Sequence, residues 1–138
     1  MMNTEIPLNV LNSMSKNTLL EQLNIIVTKV EPTVITATMP VDKRTHQPAG
    51  LLHGGATAAL IESLGSLGSS LMVDLKKQSI VGLEINVNHL RGMREGTVTG
   101  IAKVVHAGRR THVWQVDVWN EDDKQIATGR LTVMVIDN

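Results

Sequence analysis

Between Ala49 and Val73 the chain carries one formal charge, the carboxylate of Glu62, in a run otherwise built from apolar and small residues. No other stretch restricts the fold so strongly. From Gly54 to about Asp74 it reads as one long helix, yet Gly54, Gly55, Gly65 and Gly68 stand in it beside Ala56, Ala58, Ala59, Ser66, Ser69 and Ser70. Each interior glycine costs a helix about 1 kcal/mol relative to alanine. A helix that tolerates this has neighbours pressed close on several sides, and a sheet wrapped around it would demand such a surface. The run is apolar enough to raise the question of a membrane span. Its Gly, Ser and Thr content, together with His53, fits a buried helix instead.

The flanks supply that sheet. Leu8, Leu11 and Met14 recur at helical spacing within Pro7 to Lys16, and Thr18 to Leu23 forms a second short helix capped by Asn17 or Thr18. Ile25 to Val30 and Val34 to Val41 are rich in β-branched residues and turn at Glu31-Pro32, as a hairpin does. Asp42 to Leu52 is a loop with Pro48 and Gly50. Beyond the helix, Ile80 to Leu90 alternates, which puts Val81, Leu83, Ile85 and Val87 on one face and Glu84, Asn86 and Asn88 on the other. Thr97 to Val105, Thr111 to Trp119 and Gln125 to Ile136 follow as strands, with turns at Ala107-Gly108 and Asn120 to Asp123. No repeat or linker interrupts the 138 residues, so the expectation is a single α+β domain in which one long helix is wrapped by an antiparallel sheet of about six strands.

Composition excludes several function classes. There is no cysteine, which removes disulfide scaffolds, thiolate metal sites and cysteine nucleophiles and fits a reducing compartment. The formal net charge is zero and Trp114 and Trp119 are the only aromatic residues, so no nucleic-acid partner is expected. The five histidines, at 46, 53, 89, 106 and 112, show no metal-ligand spacing, and no metal is expected. The first residues lack the basic and apolar regions of a signal peptide, which makes the expected location cytoplasmic, with no membrane partner.

The chemistry concentrates in Gln47-Pro48-Ala49-Gly50-Leu51-Leu52-His53-Gly54-Gly55, followed by Glu62 and Ser66. Gly54 and Gly55 open the helix, where backbone N–H groups lack intrahelical partners and the helix dipole favours negative charge. A carbonyl placed there has its developing oxyanion stabilised. A lone carboxylate in apolar surroundings is costly to keep, which marks Glu62 as a working residue, and Ser66 lies four residues on along the same helical face. Gly54 and Glu62 are eight residues apart, roughly 12 Å along a helix. A carbonyl bound to the Gly54 N–H lies only about 3 Å from that nitrogen. Glu62 of the same helix is therefore out of reach, whereas Glu62 of a second, antiparallel helix is not, and a site shared across a two-fold homodimer is expected.

His53-Gly54-Gly55 followed by Leu60, Glu62 and Ser66 resembles the signature of hotdog-fold acyl-CoA thioesterases. The subgroups it resembles are the 4-hydroxybenzoyl-CoA thioesterases of the helical-glutamate type, the phenylacetate-pathway type and, most of all, the 1,4-dihydroxy-2-naphthoyl-CoA hydrolases. Ala37-Thr38-Met39-Pro40-Val41-Asp42, Val81-Gly82-Leu83-Glu84-Ile85-Asn86, Asn88-His89 and Val113-Trp114-Gln115 agree as well, so the resemblance spans nearly the whole chain. It implies Glu62 as nucleophile or general base, Gly54 N–H as the donor that polarises the thioester carbonyl, and Gln47, His53 and Ser66 as residues that position thioester, loop and water. It further implies His89 and Arg91 near the CoA arm. Arg91, Arg94, Arg109 and Arg110 stand around two predicted turns, and arginine suits the phosphates of CoA, so Arg109 and Arg110 join Gly82 as further CoA-binding candidates. No metal or organic cofactor is implied. The partners implied are acyl-CoA and further copies of the chain, as a homodimer that pairs into a homotetramer, and the pathway suggested is menaquinone biosynthesis. Ala49 departs from the pattern, standing where close relatives often carry a bulky aromatic residue, and this bears on the acyl specificity. The rival readings are a hotdog hydratase or dehydratase acting on an acyl thioester, whose usual arrangement of His and Asp or Glu differs, and a non-catalytic acyl-CoA-binding module.

Overall fold

The computed structural model describes residues 1–138. Two short helices, α1 (Leu8–Ser13) and α2 (Leu19–Gln22), precede strands β1 (Ile26–Val30) and β2 (Val34–Val41). The long helix α3 (Gly54–Ser70) follows, and then β3 (Gln78–His89), β4 (Gly96–Ala107), β5 (Thr111–Trp119) and β6 (Gln125–Asp137). All six strands form one antiparallel sheet in the order β1-β2-β4-β5-β6-β3. The first strand after the helix is thus carried to the far edge of the sheet, where one of its sides has no neighbour.

The sheet curls around α3. Strict alternation in β2 buries Ile35, Ala37, Met39 and Val41, and β5 does the same with Trp114, Val116 and Val118. These pack on Leu60, Ile61 and Leu64 of the helix, all at 0% exposure. Fully burying each such aliphatic side chain is worth about 1.5–3 kcal/mol, so this contact outweighs what the glycines take from α3. The small residues have the expected use. A methyl group on Gly68 would stand 2.5 Å from the Trp114 ring, and one on Gly65 equally close to Leu131. The helix is small-sided because the sheet lies directly against it.

The helix ends four residues earlier than the sequence pattern suggests. Leu71 N–H bonds to the Leu67 carbonyl and Met72 N–H to that of Ser69, which tightens the last turn. The Leu71 carbonyl is taken by Asn3 N–H, so the N-terminal segment occupies a helix-end acceptor. A second difference lies in β3. Gly82 pairs with Val133 and Glu84 with Thr132, leaving Leu83 as the extra residue of a β-bulge. The bulge shifts the phase of alternation. Ile80 and Gly82 face the helix before it and Ile85 and Val87 after it, so Val81 and Leu83 do not share the inner face and are left 42% and 54% exposed.

Candidate active site

The first turn of α3 has an uneven supply of acceptors. His53 is the N-cap, and its Nδ1 accepts the Gly55 N–H at 2.7 Å. The His53 carbonyl accepts two further N–H groups, those of Ala56 and Thr57. The Gly54 N–H alone donates to nothing. It opens into a cleft of about 350 Å³ whose polar lining comes from Gln47, Gly54, Thr57, His89 and Arg91. Leu51, Leu52, Leu90 and Ile126 make its apolar wall. The His89 ring packs so closely over Gly54 that a methyl group there would lie 2.9 Å from Nε2.

The loop before the helix is fixed at both ends. Asp42 accepts from the Arg44 side chain and backbone, which holds its carboxyl down at about 2. His46 Nε2 meets the Arg94 carbonyl at 2.7 Å, and Arg94 Nη1 donates to the Ala49 carbonyl. Gly50 adopts φ +78°, which allows the tight return that joins Gln47 N–H to the Leu51 carbonyl. Within this turn the Ala49 N–H donates to the Gln47 side-chain oxygen. A backbone N–H requires an acceptor, so the carboxamide orientation is fixed chemically. Gln47 lines the cleft, and its NH2 group, a donor only, is the part of the carboxamide left without a partner.

Glu62 lies elsewhere. It is half-buried, has no hydrogen bond or ion pair, and rests against β3, where a side chain on Gly82 would collide with its carboxylate. Burial without compensation pushes its carboxyl above the usual glutamate range. The bulge at Leu83 is what turns Gly82 toward the helix at this point. Ser66, one turn on, makes no hydrogen bond to Glu62.

Within one chain, then, Gln47, Gly54, His89 and Arg91 come together in the cleft, and Glu62 meets Gly82 outside it. His53 turns its ring to the opposite side of the loop, toward Arg44 and Ala59. Arg109 and Arg110 occupy the β4–β5 turn, where the Arg110 carbonyl accepts from Val135 of β6. Ile126, at the cleft, is nine residues back along the same strand, roughly 30 Å away. No group of three or more His, Cys, Asp or Glu side chains is arranged to hold a metal, and no helix is long and apolar enough to cross a membrane.

The thioesterase superfamily model matches residues 49–127, which run from the loop through the helix into β6. The chain belongs to the thioesterase superfamily. It is 42% identical over 132 residues to the 1,4-dihydroxy-2-naphthoyl-CoA hydrolase of Escherichia coli, covering 96% of each chain. A solved thioesterase from Pseudomonas aeruginosa, a glutamine-to-alanine variant, superimposes with a TM-score of 0.96 at 45% identity, covering 99% of both chains. A thioesterase from Staphylococcus aureus, 38% identical, superimposes at 0.83 over 85% of this chain and 97% of that one. The fold is the hotdog fold of these enzymes, and the protein is a thioester hydrolase. The Staphylococcus enzyme has been solved with a glutamine and, separately, a glutamate replaced by alanine, and those two positions are fifteen apart, as Gln47 and Glu62 are here.

Leu90, Gly92 and Ile126 of the lining were not among the residues expected from the sequence, and neither was one polar residue. Thr57 faces the cleft from within the helix. The signal was its spacing: three residues after Gly54 puts it on the same helical face.

Proposed function

We propose that the enzyme hydrolyses an aromatic acyl-CoA at a site shared by two chains. Gly54 N–H and the Gln47 NH2 group hold the thioester carbonyl oxygen, and Glu62 of the partner subunit supplies the carboxylate. The observation that carries this reading is the separation of the two halves: a free oxyanion donor opens into a cleft that holds no carboxylate, while the unpaired Glu62 lies about 12 Å away along the helix. The vacant side of β3 offers the joint. It carries exposed Val81 and Leu83 next to the bulge, and two-fold pairing there runs the two helices antiparallel. The same operation sets the far end of one sheet against the near end of the other, which favours a role for Arg109 and Arg110 at the CoA phosphates.

In this site Glu62 takes a proton from water as the oxygen attacks the carbonyl carbon. The tetrahedral oxyanion is held by the donors of Gly54 and Gln47. The C–S bond breaks, and CoA leaves as the thiol after regaining the proton. A carboxyl raised by burial is the more basic for this task; direct attack by Glu62 to give a mixed anhydride uses the same groups. The fifteen-residue spacing shared with the Staphylococcus enzyme supports the pairing of Gln47 with Glu62. The name of the E. coli relative supports 1,4-dihydroxy-2-naphthoyl-CoA as the substrate. With that substrate we place the enzyme in menaquinone biosynthesis, in the cytoplasm, as a tetramer of two such dimers.

The test is thiol release from a panel of aromatic and aliphatic acyl-CoAs, read with a thiol dye that meets no cysteine in the protein. Glu62→Ala is expected to lower kcat/KM by about a thousandfold or more. Co-expression of Glu62→Ala and Gly54→Val chains is expected to regain activity that neither variant has alone. Full activity of Glu62→Ala would remove Glu62 from the mechanism, and absence of complementation would return the whole site to one chain.

A further inference from the structure

Thr57 is 1% exposed and its hydroxyl makes no hydrogen bond within the chain. A helical threonine commonly returns its O–H to the carbonyl four residues back. Here that carbonyl belongs to His53 and already accepts the Ala56 and Thr57 N–H groups. The hydroxyl nevertheless is not sealed off, because His112 Nδ1 is the one buried side-chain polar atom without a partner. The little surface that Thr57 keeps is therefore at its oxygen, and it opens into the cleft. A nearly buried hydroxyl aimed into a ligand cleft without a partner is a group built to meet a ligand atom.

The position of Thr57 says which part of the ligand. Leu90, Arg91 and Gly92 are exposed and form the mouth of the cleft, whereas Thr57 and Ile126, at 1% and 2% exposure, form its floor. CoA with its phosphates is far too large for about 350 Å³ and leaves through the mouth beside Arg91. The acyl group is the end that reaches the floor. Thr57 is three residues beyond Gly54, about 4.5 Å along the helix, so its hydroxyl falls beside acyl atoms close to the carbonyl. The lining otherwise offers the donors Gly54 N–H, Gln47 NH2 and the Arg91 guanidinium, and at its edge the His89 ring. At the floor the Thr57 hydroxyl, which both donates and accepts, can meet a ligand hydroxyl in either sense.

We propose that Thr57 is an acyl-specificity residue, which selects acyl groups bearing a hydroxyl near the thioester carbonyl by hydrogen-bonding that hydroxyl at the floor of the cleft. The inference rests on the thioesterase reading of the Gly54 cleft. A site shaped to bond a substrate hydroxyl discriminates against the analogue without it, because its own polar group is then left unpaired.

The experiment compares 2-hydroxybenzoyl-CoA with benzoyl-CoA and reads the ratio of their kcat/KM values, for wild type, Thr57→Val and Thr57→Ser. Valine keeps the shape and removes the hydroxyl; serine keeps the hydroxyl. The ratio is expected to favour the hydroxylated ester in wild type, to fall about tenfold in Thr57→Val and to hold in Thr57→Ser. An equal loss on both esters in Thr57→Val, or an unchanged ratio, overturns the assignment whatever the absolute rates. Should wild type hydrolyse neither ester, the thioesterase reading of the cleft fails by itself. The ratio of the two dissociation constants, measured by calorimetry on the same three proteins, then decides on Thr57 by the same criterion.

Discussion

The two ends of α3 are built from the same kinds of residue and treat them in opposite ways. At the C-terminal end the small residues are covered by the sheet, and the unpaired atom there, His112 Nδ1, is sealed in the core rather than open to a cleft. Gly68 lies under the Trp114 ring, and Trp114 Nε1–H donates to Ser69 Oγ at 2.8 Å, both residues at 0% exposure. At the N-terminal end Gly54 has only the movable His89 ring against it, its N–H is unpaired, and the Thr57 hydroxyl next to it is also free. Small residues allow close packing in one place and close approach of a ligand in the other. The difference lies in what covers them.

That contrast is broken most sharply by Gly68→Ala. The added methyl would stand 2.5 Å from Cη2 and 2.7 Å from Cζ2 of Trp114, whose ring is pinned through Ser69. Alanine gains about 1 kcal/mol in helix propensity. Overpacking a core that cannot yield costs up to about 3 kcal/mol, so the clash wins. A net loss of about 2 kcal/mol in urea unfolding is expected. An unchanged midpoint would mean that the Trp114 ring is free to move, and the two ends of the helix would then differ less than the contacts imply.

Gly54→Ala makes the opposite trade. Its methyl meets the end of a side chain on the exposed strand terminus, 2.9 Å from His89 Nε2, and that ring can swing aside. Stability is expected to stay within about 0.5 kcal/mol of wild type. The carbonyl that binds beside the Gly54 N–H is displaced by the same methyl, and kcat/KM is expected to fall about tenfold or more. Unfolding curves and thiol release on one preparation separate the two effects. A loss of stability without loss of turnover would reverse the roles assigned to the two ends.

The same division explains what the sequence made legible. The glycine-rich helix with one carboxylate required a close sheet, and β2 and β5 alternate so strictly that their inner faces follow from their residues alone. The HGG signature at the helix start and Glu62 eight residues later led to the candidate site. Two features were hidden. The bulge at Leu83 depends on how β3 pairs with β6, a long-range event, and apolar Val81 and Leu83 continue the local pattern as though no residue had been inserted. Thr57 reads as an ordinary helical threonine until the His53 carbonyl is seen to be occupied. At the bulge the local signal is the same for either outcome; at Thr57 the spacing from Gly54 gives the face, and only the occupied His53 carbonyl shows that the hydroxyl is free.

Midway between the two ends, Glu62 combines the properties of both, half-buried like the packed end and unpaired like the open one, and this yields the smallest of the expected effects. Burial raises its carboxyl above the ordinary glutamate range. The folded chain thus binds the proton more tightly than the unfolded chain. Between the ordinary value and the raised one the folded state carries more protons, so this group's contribution to stability falls as pH rises through that window. Glu62→Gln abolishes the ionisation while keeping the shape. The variant is expected to match wild type in urea unfolding at pH 4 and to exceed it at pH 7, while turnover is lost. Wild-type kcat/KM is expected to decline on the acid side with a midpoint above that of an ordinary glutamate. A gap between the two proteins of equal size at both pH values would mean that the carboxylate is not strained by burial. The unpaired charge at the middle of the helix would then need a partner within the folded chain.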